Sequence, residues 1–198
     1  MTMMCALPSY GFRHSRAIAT VVLVLLQWFT SCAWAAAGGA SEIEYQIKAA
    51  YLYKFAAYVE WPPAAFADSN TPVVIGVIGA DELAAELKNI KGALTANNRE
   101  IQVRTLKQGD SMAGLQILFI GRQESGRLKQ LLDSLQSQPV LTVTEWGGAI
   151  GTGSVINFVP VDDRIRFEVS TASAERSGLK ISARLLSVAQ RVETRRQQ

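Results

Sequence analysis

Between Pro72 and Thr144, short apolar runs alternate with amphipathic stretches, and this order restricts the fold more than any other feature of the chain. Pro72-Val-Val-Ile-Gly-Val-Ile-Gly79 is almost continuously apolar, as expected of a strand covered on both faces. Leu83, Ala84 and Leu87 follow at helical spacing, with Asp81 placed to cap that helix. Ile101, Val103 and Thr105 alternate as a short strand, and Leu115–Ile120 is a second buried run ended by Gly121. Leu128, Leu131, Leu132 and Leu135 predict another helix, and Pro139-Val-Leu-Thr-Val-Thr144 a further strand. Strand–helix–strand alternation of this kind predicts a single α/β domain with a mostly parallel central sheet flanked by helices.

The ends of the domain differ from its middle. Ser41 with Glu44 has the spacing of a capping box. Ile43, Ile47, Ala50, Tyr51, Phe55 and Val59 then predict one apolar stripe on a first helix that stops at Trp61-Pro62-Pro63. Towards the C-terminus, Val155–Val159 and Arg164–Val169 flank Val161-Asp-Asp163, which predicts an antiparallel hairpin at the sheet edge. A helical turn over 172–177 should end at Gly178. A last helix is expected to turn Leu185, Leu186, Ala189 and Val192 inward, with Arg184, Arg191, Arg195 and Arg196 near its end.

In front of this domain the sequence is built for export. The first sixteen residues carry Arg13 and Arg16 and no acid; Ala17–Leu26 is apolar; small residues surround Ala33-Trp34-Ala35. A positive start, a short apolar core and an Ala-x-Ala site together make a secretory signal cleaved at Ala35. The domains are therefore read as residues 1–35, signal, and 36–198, a periplasmic domain. A retained membrane anchor is the alternative, but Ala17–Trp28 is about 12 residues where a span takes ~20. Phe29-Thr30-Ser31-Cys32 resembles a lipobox, so lipidation at Cys32 is a second alternative.

Subtracting the signal removes Cys5, Cys32 and His14, the chain's whole complement of cysteine and histidine. That excludes a Cys/His zinc site, a thiol nucleophile and a Ser-His-Asp triad. The 20 basic residues lose Arg13 and Arg16, so 18 face 17 acidic ones and the net charge falls from +3 to +1. Nucleic acid as a partner loses its electrostatic support. No cofactor or metal is expected.

Three groups of residues remain as candidate sites. Gly76-Val-Ile-Gly79 lacks the spacing of a phosphate loop, and glycines there serve tight packing. In a doubly wound sheet Asp81, Arg122 and Glu145 would stand at strand carboxyl ends and could line one ligand crevice. Tyr45, Tyr51, Tyr53, Tyr58 and Trp61 crowd the first helix with more aromatic surface than one stripe needs; Tyr53 and Lys54 should lie off it. The junction Glu175–Arg184 is dense in charge, with Arg176, Lys180 and Arg184 near a helix start.

Read together, Ile47-Lys-Ala-Ala-Tyr-Leu-Tyr-Lys-Phe55 running into Val59-Glu-Trp-Pro62, Val74–Gly79, Ile117–Ile120, Pro139–Val143, Ile156–Val159, Arg164–Glu168 and Ala174–Leu186 resemble the YfiR family of periplasmic regulators. The resemblance implies regulation rather than catalysis. Its best-known member, a dimer, represses an inner-membrane diguanylate cyclase (YfiN-like) by binding the periplasmic sensor domain, which lowers cyclic-di-GMP and restrains biofilm formation. Lys54, Glu60 and Trp61 after the first helix, with Glu175, Arg176, Lys180 and Arg184 at the last junction, are the expected partner contacts. The family's disulfide-based redox sensing has no counterpart in a domain without cysteine, and the glycine-rich stretch before Ile156 departs from the family's usual loop. The alternative function is a periplasmic binding protein that senses a nucleotide or amino acid at the sheet crevice, coupled for instance to a histidine kinase; a hydrolase comes third.

Overall fold

The helix that opens the domain starts earlier than its expected cap. In the structure, a computed structural model describing residues 32–90 and 99–194 with side chains from Glu42 onward, α1 is Cys32–Tyr58. Ser41 is therefore inside a helix and not at its N-cap. The alanine-rich stretch before it is strong helix-forming sequence and carries the helix through. Residues 1–31, which hold Arg13, Arg16 and the apolar run, lie outside the described residues, as do Arg195 and Arg196. Ala35 and Cys32 fall within the backbone of α1. The sheet belongs to a compact unit that begins at Glu42.

The buried face of α1 is also rotated from the expected one. Ile43 and Ile47 are 59% and 39% exposed, and Ala50 is exposed. The buried positions of the helix are Lys48, Ala49, Leu52, Phe55 and Ala56, so of the expected stripe Phe55, and Val59 just beyond the helix, are buried. Both sets have helical period; the helix is apolar almost all round, and tertiary packing selects the face that carries Leu52 and Phe55. Full burial of each of these two side chains contributes about 1.5–3 kcal/mol.

After β1 (Val59–Glu60) and a 3-10 turn at Pro63–Ala65, the chain enters β2 (Val73–Ile78), α2 (Asp81–Asn89) and β3 (Ile101–Leu106). Then follow β4 (Ile117–Ile120), a 3-10 segment over Arg122–Arg127, α3 (Leu128–Ser134), β5 (Leu141–Thr144) and α4 (Ala149–Thr152). The last elements are β6 (Ile156–Val161), β7 (Arg164–Ser170), α5 (Thr171–Arg176), β8 (Lys180–Ile181), α6 (Ala183–Ser187) and β9 (Arg191–Glu193). The main sheet runs β3-β2-β4-β5-β6-β7-β9, and β1 pairs with β8 in a two-stranded ladder. Strands β3 to β6 pair in parallel, and β6 with β7 antiparallel. The fold is the expected α/β domain with a mostly parallel sheet.

Alternation along β4 divides the core. Ile117 and Phe119 join the cluster under α1 and α2, while Leu118 and Ile120 face Leu128, Leu131 and Leu132 of α3. Under α1 the packing is aromatic. Tyr51 meets Phe167 edge-on at 5.4 Å between ring centroids, and Phe55 meets it at 5.2 Å. Gly76 sits where an added Cβ would approach Leu115 to 2.8 Å, so this glycine serves close packing.

Three local expectations are corrected. Asp81 does not cap α2: Ala80 is the N-cap residue, and Asp81 with Glu82 lies in the first turn, where the helix dipole favours negative charge. The hairpin β6–β7 is antiparallel but is not the sheet edge, because β9 pairs with β7 in parallel and Arg191 reaches Glu168 at 2.9 Å. The last helix is correspondingly short; Val192 is in β9 and 37% exposed. Helix α5 does end before Gly178, whose φ is +68°. Its cap is Ser170, which accepts a hydrogen bond from the Ser173 N–H.

Candidate functional site

At the carboxyl ends of the parallel strands, where a ligand would be sought, two turns are in contact and a carboxylate is buried. The change of strand order lies between β2 and β4, and there the turns at Gly79 and Gly121 touch. The Gly121 N–H donates to Ile78 O at 2.8 Å, and a Cβ on Gly121 would stand 2.1 Å from Gly79 O. Glu145, just after β5, is 2% exposed and fully engaged. One carboxylate oxygen accepts from Lys48 Nζ at 2.5 Å, the other from the Arg122 N–H at 3.0 Å. Lys48, itself 1% exposed, also donates to Glu44, which accepts Arg122 Nη2 at 3.6 Å as an ion pair. Arg122 and Glu145 therefore meet as expected, but as part of a structural lock to α1. Asp81 is exposed on α2 and forms no hydrogen bond or ion pair with either among the described residues.

This lock was not visible in the sequence, where Lys48 reads as the polar side of the helix. The available signal was Glu44 at i−4 on the same face as Leu52 and Phe55. Tyr45 lies beside the lock: Lys48 Nζ is 5.2 Å from its ring centre. Burial first, then the Glu145 and Glu82 carboxylates, raise its phenol above the ordinary 10.0. A phenol held protonated in the fold stabilises fully below pH 10, and that contribution is lost as pH rises through the elevated value. Tyr45→Phe is accordingly expected to flatten the fall of melting temperature with pH above pH 10, read by thermal denaturation at pH 8–11.

A different surface gathers residues chosen from the sequence. Where the second half of α1, β7 and α6 meet, a groove of about 360 Å³ has a floor of Tyr51, Tyr58, Phe167 and Leu185. Lys54, Arg166 and Arg184 border it, and the 53%-exposed Val188 adds an apolar lip. The Arg184 guanidinium lies 5.9 Å from the Tyr58 ring centre. None of the three cations forms an ion pair among the described residues. Arg166 also borders a neighbouring hollow of about 470 Å³ with Val161, Asp162, Arg164 and Gln190. In the sequence Arg166 is only one residue of the strand Arg164–Val169; that it completes a site with Lys54 and Arg184 is set by the fold.

The remaining expected contacts are dispersed. Glu60 and Lys180 oppose each other in the β1–β8 ladder and both are exposed. Trp61 is half-buried: its Nε1–H donates to Gln116 O at 3.1 Å and its ring meets Phe66 edge-on. Arg176 turns to the Ser173 hydroxyl at 2.9 Å and borders a separate, smaller hollow beside α3, while Glu175 is exposed. Tyr53, expected on the outer face, donates to Leu87 O at 2.9 Å and ties α1 to α2. Among the described residues there is no cluster of three or more His, Cys, Asp or Glu placed to hold a metal, and no helix long and apolar enough to cross a membrane.

These features define an α/β domain with a buried Lys48–Glu145 lock at the strand ends and an open, cation-bordered aromatic groove on another surface. The chain belongs to the YfiR/HmsC-like family, whose model matches residues 45–190. Among solved structures it is similar to the ABC domain in complex with L-Trp from Streptococcus pneumonia, at 10% identity and a TM-score of 0.43. That similarity covers 61% of this chain and spans 56% of the other.

Proposed function

We propose that this chain is a periplasmic, non-enzymatic regulator that inhibits an inner-membrane diguanylate cyclase by binding its periplasmic sensor domain. Membership of the YfiR/HmsC-like family supports the regulatory role. The observation that carries the reading to a surface is the groove of Lys54, Arg166 and Arg184 over Tyr51 and Tyr58, whose cations form no ion pair among the described residues. Aromatic and arginine side chains around an apolar centre are what protein interfaces use for affinity, and charge for specificity. Glu60, Lys180, Glu175 and Arg176 are exposed away from the groove and are proposed as further contacts, while Trp61 donates its indole N–H inside the fold. Export by cleavage at Ala35 and a homodimer belong to the same reading.

Deletion of the gene is expected to raise cyclic-di-GMP in the producing cell and to increase biofilm, both reversed by the gene in trans. Unchanged cyclic-di-GMP in the deletion strain contradicts a cyclase as the target.

A further inference from the structure

We infer that the groove between α1, β7 and α6 receives an acidic peptide segment with one apolar anchor side chain. This deepens the proposed regulatory role and rests on it only for the identity of the partner, not for the chemistry of the segment. The chemistry follows from what surrounds the groove. Among the described residues Lys54, Arg166 and Arg184 are its charged lining groups, all positive, and none of them forms an ion pair. Every Asp and Glu of the sequence lies among the described residues, and none of their side chains pairs with these three cations. Three adjacent cations repel one another, and an incoming carboxylate relieves that repulsion.

The floor selects the second feature. Tyr51 packs against Phe55 and Phe167, Leu185 is buried beneath, and half-buried Tyr58 with exposed Val188 leaves apolar surface open beside it. A small-molecule site ordinarily orients its ligand with polar groups buried in its wall. Among the described residues, the buried side-chain polar atoms without a hydrogen bond, Asn157 Nδ2 and Arg127 Nε (which is ion-paired with Glu124 at 3.1 Å), lie outside this groove. With an apolar centre and exposed charges at the border, the groove has the layout of a peptide-binding interface.

The test is selection from a displayed random peptide library on the purified full chain. Enriched peptides are expected to be net negative with at least one aromatic or large aliphatic residue. Their affinity should fall roughly tenfold or more in Lys54→Glu/Arg184→Glu, and weaken with added salt. Both positions are exposed, so the variant is expected to keep the wild-type melting temperature; Arg166→Glu, half-buried, serves as a third variant. Enrichment of neutral or basic peptides, acidic peptides that bind the variant equally well, or no enrichment each overturns the inference. Acidic peptides that require the groove, together with unchanged cyclic-di-GMP in the deletion strain, would keep the groove and remove the cyclase.

Discussion

Replacing Lys48 with methionine is expected to lower the stability of the domain by about 3–5 kcal/mol, the largest loss of any single charged residue here. The reason is asymmetry of environment. Glu145 is 2% exposed, and without Lys48 its carboxylate keeps only the Arg122 N–H. Glu145→Gln should cost less, because Lys48 retains Glu44, a carboxylate one-third exposed to solvent, on its own helix. A double replacement, Lys48→Met/Glu145→Leu, should recover much of the loss, since apolar groups of similar size often replace a buried pair without penalty. For a domain of this size the single variant corresponds to a drop in melting temperature on the order of 10 °C, followed by circular dichroism. A Lys48→Met protein that melts with the wild type would show that the lock does not hold α1 to the sheet.

The second large effect is expected at Gly121. An alanine there would place Cβ 2.1 Å from Gly79 O and 2.6 Å from Gly79 C, both backbone atoms. Gly79 has φ +70° and cannot relax freely, so the β2 and β4 turns must separate and the bond from Gly121 N–H to Ile78 O is lost. Gly121→Ala should therefore cost about 3 kcal/mol or more, or prevent soluble expression. Gly126→Ala is the control: nothing lies within 4 Å of its would-be Cβ. That change should be neutral or stabilise by up to ~1 kcal/mol through the unfolded chain. Equal behaviour of the two variants, measured by denaturant unfolding, would mean that the turns do not meet as described.

Much of the architecture was legible because it is local. Val73–Ile78 and Ile117–Ile120 read as doubly covered strands, and that is what β2 and β4 are; Leu128, Leu131 and Leu132 read as one helix face and pack as one. The failures came where two local patterns competed. In α1 the stripes through Ile43 and Ile47 and through Ala49 and Leu52 have the same period, and only the sheet decides between them. Leu185, Leu186, Ala189 and Val192 have helical spacing, yet β7 offers a free edge with Glu168 facing Arg191, and pairing to that edge ends the helix early.

The groove was legible in part. Lys54 stands out beside an aromatic excess and Arg184 in a charge-dense junction, without any sign that they are neighbours. Arg166 escaped notice because it is one of two alternating arginines on a strand, and its meaning depends on which helices cover that strand. Trp61 and Tyr53 illustrate the opposite error. Each looked like surplus aromatic surface, and each spends its polar atom on a backbone carbonyl inside the fold.

The regulatory role is tested most directly by calorimetric titration of the purified protein into the isolated periplasmic sensor domain of an inner-membrane diguanylate cyclase from the producing organism. Binding in the micromolar range or tighter is expected for the wild type, with loss of most of that affinity in Lys54→Glu/Arg184→Glu at unchanged melting temperature. Absence of binding by the folded wild-type protein would contradict the proposed function.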